Sequence, residues 1–267
     1  MKKYLIIFFI LVLIFLLMKL SDFFSPAVKA TKINKLAGVS VDETIDLLRR
    51  RNDELALAQF EKILANDPDN ADALWAKAEV LRRIREYEKA EAVIRQVLAK
   101  NPEHLASLNT LAYIKYKEDD IDGALALVNR VLSSPDCDNE NRGLAYMMLG
   151  TINSKIASDS GLVRKLTYAG KIKGNLLKAK QLAPNLAEVR LALGTFYLLA
   201  PMIIGGNINK AIRELEAAIE IAPDFATANA RLAQAYKIKR LRDKYLLYLN
   251  RAKALDPENE VVTELEK

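Results

Sequence analysis

The sequence predicts an all-α solenoid built from about six tandem helix pairs. Prolines recur at helix-ending positions, and Pro68 and Pro102 are 34 residues apart, as are Pro223 and Pro257. An apolar pattern of helical period, carrying small residues, precedes each of these prolines. A fixed period near 34 residues indicates one supersecondary unit copied in tandem, and tandem helix pairs stack into a solenoid.

Composition places the chain among ordinary globular proteins. Of its 267 residues, 51% are apolar and 28% are charged, which is too apolar for a disordered chain. About half of the formal net charge of +6 lies in residues 1–30, so the rest of the chain is too weakly basic to predict nucleic-acid binding. Cys137 is the only cysteine, which excludes an internal disulfide framework.

The chain begins with an apolar leader. An uninterrupted apolar run from Tyr4 to Met18 is flanked by lysines and predicts one hydrophobic helix, spanning about 22 Å, within residues 1–30. It is either a signal peptide or a transmembrane anchor with a linker. Ser25-Pro26-Ala27 and Val28-Lys29-Ala30 offer the −3 and −1 residues of a cleavage site, but both lie far from the apolar run, which favours the uncleaved anchor. In either case the body is expected outside the cytoplasm, membrane-anchored or secreted.

The body consists of units that share a set of residues. The fifth unit has Leu193-Gly194 and Tyr197, then Ala211 and Leu215, then Pro223, and the second, fourth and sixth units keep parts of this set. It resembles the tetratricopeptide repeat family, whose signature places Leu-Gly-x2-Tyr in a first helix, small and bulky residues in a second, and proline at the end. The resemblance implies a right-handed superhelical solenoid of about six such helix pairs.

The expected solenoid covers residues 31–267. Its units are approximately 37–70, 71–104, 105–139, 143–186, 187–225 and 226–259, followed by a short segment, 260–267. That segment is expected to cap the array, or else the last helix pair exposes Leu246, Leu247 and Tyr248 to a second copy of the chain. The sequence therefore does not exclude a homo-oligomer.

Two insertions interrupt the period, one around residues 158–170 of the fourth unit and one at 200–207 of the fifth. Both are expected to form loops between paired helices, on one face of the solenoid. The second is apolar, so Met202, Ile203 and Ile204 either form a hydrophobic lip that contacts a ligand or subunit, or fold back over the first insertion.

In the family, the first helix of each unit lines a concave groove, and certain positions of that helix point inward. The resemblance implies that this partner-binding row is formed by Trp75, Glu79, Arg82, Asn109, Tyr113, Tyr116, Met147, Thr151, Lys155, Leu191, Thr195 and Leu198. Aromatic and arginine side chains in such a row are suited to recognising peptides. The alternative for each position, Trp75 and Tyr113 among them, is packing between repeats. The basic residues that some family members use to hold a terminal carboxylate do not recur here as a set.

A basic stretch follows the first insertion. Arg164, Lys165, Lys171, Lys173 and Lys178 occur with no acidic residue between Asp159 and Glu188. The stretch is either a solvated helix face or a patch that attracts acidic protein, anionic polymer or lipid headgroups.

No catalytic constellation occurs in the sequence. His104 is the only histidine, and neither a Gly-x-Ser-x-Gly elbow nor a phosphate-binding loop is present. We therefore expect no enzyme activity, no metal site and no cofactor.

The favoured function is a protein–protein interaction scaffold at a cell envelope, with proteins or peptides as partners and the membrane as a contact if the leader is retained. The alternative is an accessory component of a transport system, with a cleft or pore for a small ligand or a solute-binding partner.

Overall fold

The computed structural model describes residues 40–158 and 161–267, with the backbone alone at 162–165. These residues form thirteen α-helices and one short 3-10 helix, Met202–Ile204. The predicted hydrophobic leader lies outside the described residues. The α-helices are α1 Val41–Arg49, α2 Asp53–Asn66, α3 Ala71–Arg83, α4 Tyr87–Lys100, α5 Leu105–Lys117, α6 Ile121–Ser133, α7 Asn139–Ser158, α8 Leu162–Leu182, α9 Ala187–Leu199, α10 Ile208–Ile221, α11 Ala226–Ile238, α12 Arg242–Leu255 and α13 Glu260–Glu266.

Consecutive helices pack as six pairs, from α1 with α2 to α11 with α12, and each pair also packs against the next. The part of the chain that the structure describes contains no β-strand. The core is correspondingly divided into apolar clusters between successive helices rather than one central mass. This arrangement confirms the predicted all-α solenoid of helix pairs.

Small residues bring the paired helices into close contact. A Cβ atom added at Gly194 of α9 would lie 2.8 Å from Leu215 Cγ of α10, and one added at Gly150 of α7 would lie 2.8 Å from Leu176 Cγ of α8. Neither position has room for a side chain unless the partner moves. The Leu-Gly element of the repeat therefore sets the separation of the helix backbones.

The turns inside the pairs share an unusual backbone conformation. Arg51, Arg85 and Asp119 have positive φ angles of 66°, 67° and 70°, and each lies between the two helices of its pair. They are spaced 34 residues apart, so the repeat reproduces a strained turn as well as the helices. The later Arg240 turn, at φ 59°, has the same form.

The first insertion is not the loop that the sequence predicted. Residues before Ser158 and after Gly161 extend α7 and α8, which are 20 and 21 residues long. The apolar pattern explains the difference, because Ala169, Ile172 and Leu176 of α8 are buried at helical spacing. The added residues therefore lengthen a packed helix pair.

The second insertion is short and partly ordered by its own turn. The 3-10 helix ends at Gly205, whose φ of 107° is accessible to glycine and strained for other residues. At the other end of the chain, α13 buries Val261, Val262 and Leu265 against α11 and α12, as a brief cap does. Among the described residues, no helix is both long enough and apolar enough to cross a membrane.

Candidate binding site in the central cavity

Ion pairs join the early units of the solenoid to the late ones. Arg49 of α1 donates to Glu140 of α7, with Nη2 2.7 Å from Oε2, and Arg51 Nη2 lies 2.7 Å from Glu188 Oε1 of α9. Further along, Arg85 Nη2 lies 2.8 Å from Asp256 Oδ2, and Lys117 Nζ lies 3.5 Å from Glu260 Oε1. The solenoid therefore curves so far that side chains of its early and late units meet across its concave face.

Three of the acceptors lie where helix dipoles favour them. Glu140, Glu188 and Glu260 occupy the first turns of α7, α9 and α13. A carboxylate at a helix N-terminus is stabilised by the unpaired backbone N–H groups and the positive end of the dipole. These glutamates thus accept the cross-solenoid cations at favourable positions.

The closed concave face surrounds a cavity of about 870 Å³. Helices from all six units contribute to its wall, together with Val261 of the cap helix. A volume of this size lies within the range of small-molecule sites, which is roughly 300–1,000 Å³. It also accommodates a short extended peptide, whereas a folded domain is too large to enter it.

The wall formed by the first three units is charged and hydrogen-bonded. Glu79 accepts from Arg82 Nε at 2.9 Å and from Arg83 Nε at 3.2 Å, and Arg83 also pairs with Asp53. Thr110 Oγ1 donates to Glu79 Oε2 at 3.2 Å and accepts from Trp75 Nε1 at 3.0 Å. This network fixes side chains of α3 and α5 in one arrangement.

Aromatic rings cover two of these cations. The Arg82 guanidinium carbon lies 4.2 Å from the centroid of the Tyr113 ring, and that of Arg51 lies 3.9 Å from the centroid of the Phe225 ring. Guanidinium groups over ring faces are stabilised by the ring quadrupole, more strongly where water is excluded. The nitrogen Arg51 Nε is buried and has no hydrogen-bond partner among the described residues.

Electrostatics of this wall shift several pKa values. Burial raises the pKa of Glu79, but the charges of Arg82 and Arg83 and the hydrogen bond from Arg82 outweigh it, so the pKa falls to about 2. Burial, assisted by the neighbouring charge of Arg83, lowers the pKa of Arg51 to about 10. For Glu188, burial is again opposed by Arg51 and Arg83, and its pKa is lowered. All three groups are therefore ionised at neutral pH.

The wall formed by the fourth and fifth units is largely apolar. Its side chains belong to α7, α8, α9 and the second insertion, and they include Met147, Ile172, Leu176, Leu191, Phe196 and Ile204. Leu199 and Pro201 also line the cavity, yet both are exposed. These two residues therefore lie where the apolar part of the cavity opens to solvent.

The structure brings most of the predicted groove row to this cavity. Ten of the twelve line it, namely Trp75, Glu79, Arg82, Asn109, Tyr113, Tyr116, Met147, Thr151, Leu191 and Thr195. Lys155 is not among the lining residues and pairs with Asp119. Leu198 is half-buried and packs with the clusters around Leu193 and Leu215 instead.

The loop residues divide between the cavity and solvent. Ile204 is half-buried and lines the cavity, whereas Met202 and Ile203 are 87% and 88% exposed. The second insertion contacts α8, since Lys173 Nζ would lie 3.2 Å from a Cβ atom at Gly205. Met202 and Ile203 themselves thus cover no apolar surface of the described part of the α7–α8 pair.

The basic stretch lies along helix α8. Lys171 and Lys178 are exposed, and Lys173 is half-buried beside the second insertion. Lys178 donates to Gln181, and Lys171 lies over the Tyr168 ring. None of these three lysines forms an ion pair with a side chain that the structure describes. The side chains of Arg164 and Lys165 lie outside the described residues.

The residues that close the cavity were not among those expected from the sequence. Arg49, Arg51, Glu140 and Glu188 belong to helix ends or to turns between helices, not to the inward positions of first helices. One signal was present, because Arg51 and Arg85 occupy the same position of adjacent 34-residue units. What each arginine contacts depends on the curvature of the whole array.

His104, the only histidine in the sequence, serves as a helix cap. His104 caps α5, where its Nδ1 accepts from the backbone N–H of Ser107 at 3.3 Å and its Nε2 lies 3.1 Å from Asp72 Oδ1. Among these residues, no group of three His, Cys, Asp or Glu side chains is arranged to hold a metal ion.

Comparisons with known proteins agree with this architecture. The tetratricopeptide repeat family model matches residues 42–95 and 80–142. A comparison with curated protein sequences finds no match. Among solved structures, the thermophilic tetratricopeptide repeat protein TTC0263 of Thermus thermophilus is 19% identical, with a TM-score of 0.58, over 73% of this chain and 96% of that one. The Cut9–Hcn1 hetero-tetramer of the APC/C is 16% identical, with a TM-score of 0.57, over 84% of this chain and 41% of that one. At these identities the likeness shows the fold alone.

Proposed function

We propose that the chain is a non-catalytic scaffold whose central cavity holds an extended segment of a partner protein. The match of residues 42–142 to the tetratricopeptide repeat model and the solenoid fold support this proposal. The observation that carries this proposal is the convergence of Trp75, Tyr113 and Arg82, from neighbouring units, on one enclosed surface. Aromatic and arginine side chains in a desolvated setting are the groups that contribute most to protein recognition.

The form of the cavity supports an extended occupant. Its volume is about 870 Å³, so a few residues of peptide fit where a folded partner does not. Hydrogen-bonding groups of the charged wall offer contacts to a peptide backbone, and the apolar wall offers contacts to side chains.

The proposal includes a location outside the cytoplasm at a cell envelope. It is supported by the sequence, in which lysines precede the apolar run from Tyr4 to Met18. Retention of that run anchors the scaffold to the membrane, and cleavage releases it. Protease added to intact spheroplasts distinguishes these arrangements from an internal one, since only an external body is digested.

The test of partner binding is cross-linking in the native cells, followed by identification of the proteins that co-purify. Tyr113→Ala combined with Tyr116→Ala removes two half-buried rings from the cavity wall. Leu55→Ala serves as the control, because Leu55 is exposed on α2 and does not line the cavity. We expect one or more envelope proteins to be captured by the wild type and the control, but not by the double variant. An unchanged partner list in the double variant contradicts the proposed site.

A second function, as the accessory component of a transport system, is favoured by one observation. The apolar wall of the cavity is enclosed by three helices and opens beside Leu199 and Pro201, as expected for a small-molecule site. Native mass spectrometry of the purified chain tests this function. A bound small molecule of constant mass supports it, and a ligand-free spectrum from freshly isolated protein contradicts it.

A further inference from the structure

We propose that the apolar part of the cavity receives the acyl chain of an anionic amphipath, which enters beside Met202 and Ile203. This inference rests on the proposed function of the cavity as a binding site and names the ligand class of its apolar half. It is carried by the lining, the opening and the charge beside the opening.

The lining supplies a surface suited to an acyl chain. Met147, Ile172, Leu191, Phe196 and Ile204 face the same space from α7, α8, α9 and the second insertion. Methionine and leucine side chains adapt to a flexible chain, and each methylene group moved from water to such a wall adds to the binding free energy. The hydroxyl groups of Thr151, Ser154 and Thr195 lie among them, but none of these side chains carries the charge that a phosphate site needs.

The opening is itself apolar and exposed. Leu199 and Pro201 line the cavity and reach solvent, and the adjoining Met202 and Ile203 are 87% and 88% exposed. Large apolar side chains that project together from a loop are uncommon on a soluble surface unless they contact an apolar partner. Here they form a continuous apolar path from the outside to Ile204 inside.

Positive charge lies beside this path. Lys173 Nζ of α8 would lie 3.2 Å from a Cβ atom at Gly205, the residue that follows the 3-10 helix of the second insertion. Lys173 forms no ion pair with a side chain in the described ranges. An ammonium group at the mouth of an apolar cavity favours a ligand whose charged head is a carboxylate or a phosphate. An acyl chain with such a head matches the wall, the opening and the charge together.

The experiment measures binding of cis-parinaric acid, a fluorescent fatty acid, to the full chain. Ala192→Trp places an indole in the cavity from α9, and Ile204→Asp places a carboxylate in the apolar wall. Leu247→Asp introduces the same charge at an exposed position of α12 that does not line the cavity. We expect one equivalent of probe on the wild type and on Leu247→Asp, and binding weaker by about tenfold or more in both cavity variants, because filling or charging the site removes its apolar space.

All variants carry the same apolar run near the N-terminus, so probe bound to that run contributes equally to the wild type, the cavity variants and the control. Equal binding by the wild type, Ala192→Trp and Leu247→Asp overturns the proposal, as does the absence of binding to the wild type. Circular dichroism confirms that each variant is folded. Two different cavity variants are used so that misfolding of one leaves the other informative.

Competition identifies the head group. Palmitate and lysophosphatidylglycerol each displace the probe if the site takes any single acyl chain, and displacement by one alone assigns the carboxylate or the phosphate. Lys173→Glu is expected to weaken anionic competitors, whereas Lys178→Glu, on another face of α8, is expected to have no effect. Equal effects of the two substitutions contradict the role of Lys173. Partner capture through Tyr113 and Tyr116 is scored separately, so either proposal fails without the other.

Discussion

Arg51 and Glu188 are separated by 137 positions in the chain, yet Arg51 Nη2 lies 2.7 Å from Glu188 Oε1. Arg51 belongs to the turn of the first unit, at a φ of 66°, and Glu188 to the first turn of the fifth unit's first helix. Their contact closes the concave face of the solenoid into a cavity. A groove that is usually open along a solenoid is here bridged from one edge to the other by ion pairs.

The first prediction concerns this ion pair. Arg51→Met removes the charge and keeps much of the side-chain volume, leaving Glu188 with the more distant Arg83, 3.6 Å away. We expect the free energy of unfolding to fall by about 2 kcal/mol, because a largely buried carboxylate loses a charged hydrogen-bond donor. Urea denaturation measures the change. Arg50→Met breaks the exposed pair with Asp46 and should cost less than about 1 kcal/mol, so equal losses contradict the prediction.

The second prediction is a loss of stability in acid through Glu79. The pKa of this carboxyl is about 2 in the folded chain, below its ordinary value of 4.5. Ionised Glu79 therefore contributes stability above pH 4.5, and that contribution is lost as the pH falls towards 2. The shift corresponds to about 3 kcal/mol, on the order of 1.4 kcal/mol for each pKa unit.

Denaturation at several pH values between about 5 and 2 tests this dependence against Glu79→Gln. The variant is expected to be less stable at neutral pH, because Arg82 and Arg83 lose their shared partner. Its stability should also fall less steeply with acid than that of the wild type. Parallel curves for the two proteins would assign the acid sensitivity to other groups, such as Glu188, whose pKa is also lowered.

Local patterns predicted the helix pairs because the determinants of a pair are close in sequence. Pro68 and Pro102 end second helices, and Gly194 faces Leu215 only 21 positions away. The predicted loop at 158–170 was wrong because its length was read from proline spacing, while the burial of Ile172 and Leu176 continued a helix. Spacing shows that residues were inserted, but not what they form.

The closure of the cavity could not be predicted in the same way. The contact of Arg51 with Glu188, or of Arg85 with Asp256, depends on the small rotation between neighbouring units, accumulated over four or five of them. Each interface adds to that rotation through its own side-chain packing. The groove positions on first helices followed from the repeat, whereas the partners that close the groove followed from its curvature.

The third prediction uses two glycines in comparable helices. Gly194→Val adds a side chain where a Cβ atom lies 2.8 Å from Leu215 Cγ, and overpacking of this kind typically costs about 1–3 kcal/mol. Gly174→Ala, in α8, has no atom within 4 Å of its added Cβ, so it should raise stability by about 0.5–1 kcal/mol. Thermal unfolding followed by circular dichroism measures both. Stabilisation by both substitutions would show that α9 and α10 move apart without cost.

The fourth prediction concerns the exposed loop. Met202→Ser with Ile203→Ser replaces two side chains that contact little of the protein, so the free energy of unfolding should change by less than about 0.5 kcal/mol. Binding of a ligand or subunit at this loop should weaken at the same time. Retained helicity in circular dichroism with unchanged binding removes the loop from recognition. A large loss of stability would mean that it packs against the extended α7–α8 pair.

The last prediction is a charge exchange at the edge of the closed face. Arg85 Nη2 lies 2.8 Å from Asp256 Oδ2, and both side chains are partly exposed, so reversing one charge should separate the edges while the helices stay intact. Arg85→Asp is expected to increase amide hydrogen exchange in α13 and in the turn at Asp256, because repulsion replaces attraction between the second and sixth units.

Asp256→Arg in the same chain should restore slow exchange, since the pair is re-formed with opposite polarity. Raising the salt concentration should reduce both effects, because pairs at this exposure are screened. Faster exchange in the double variant than in Arg85→Asp alone would show that the main role of Asp256 is to cap the C-terminus of α12, and not to pair with Arg85.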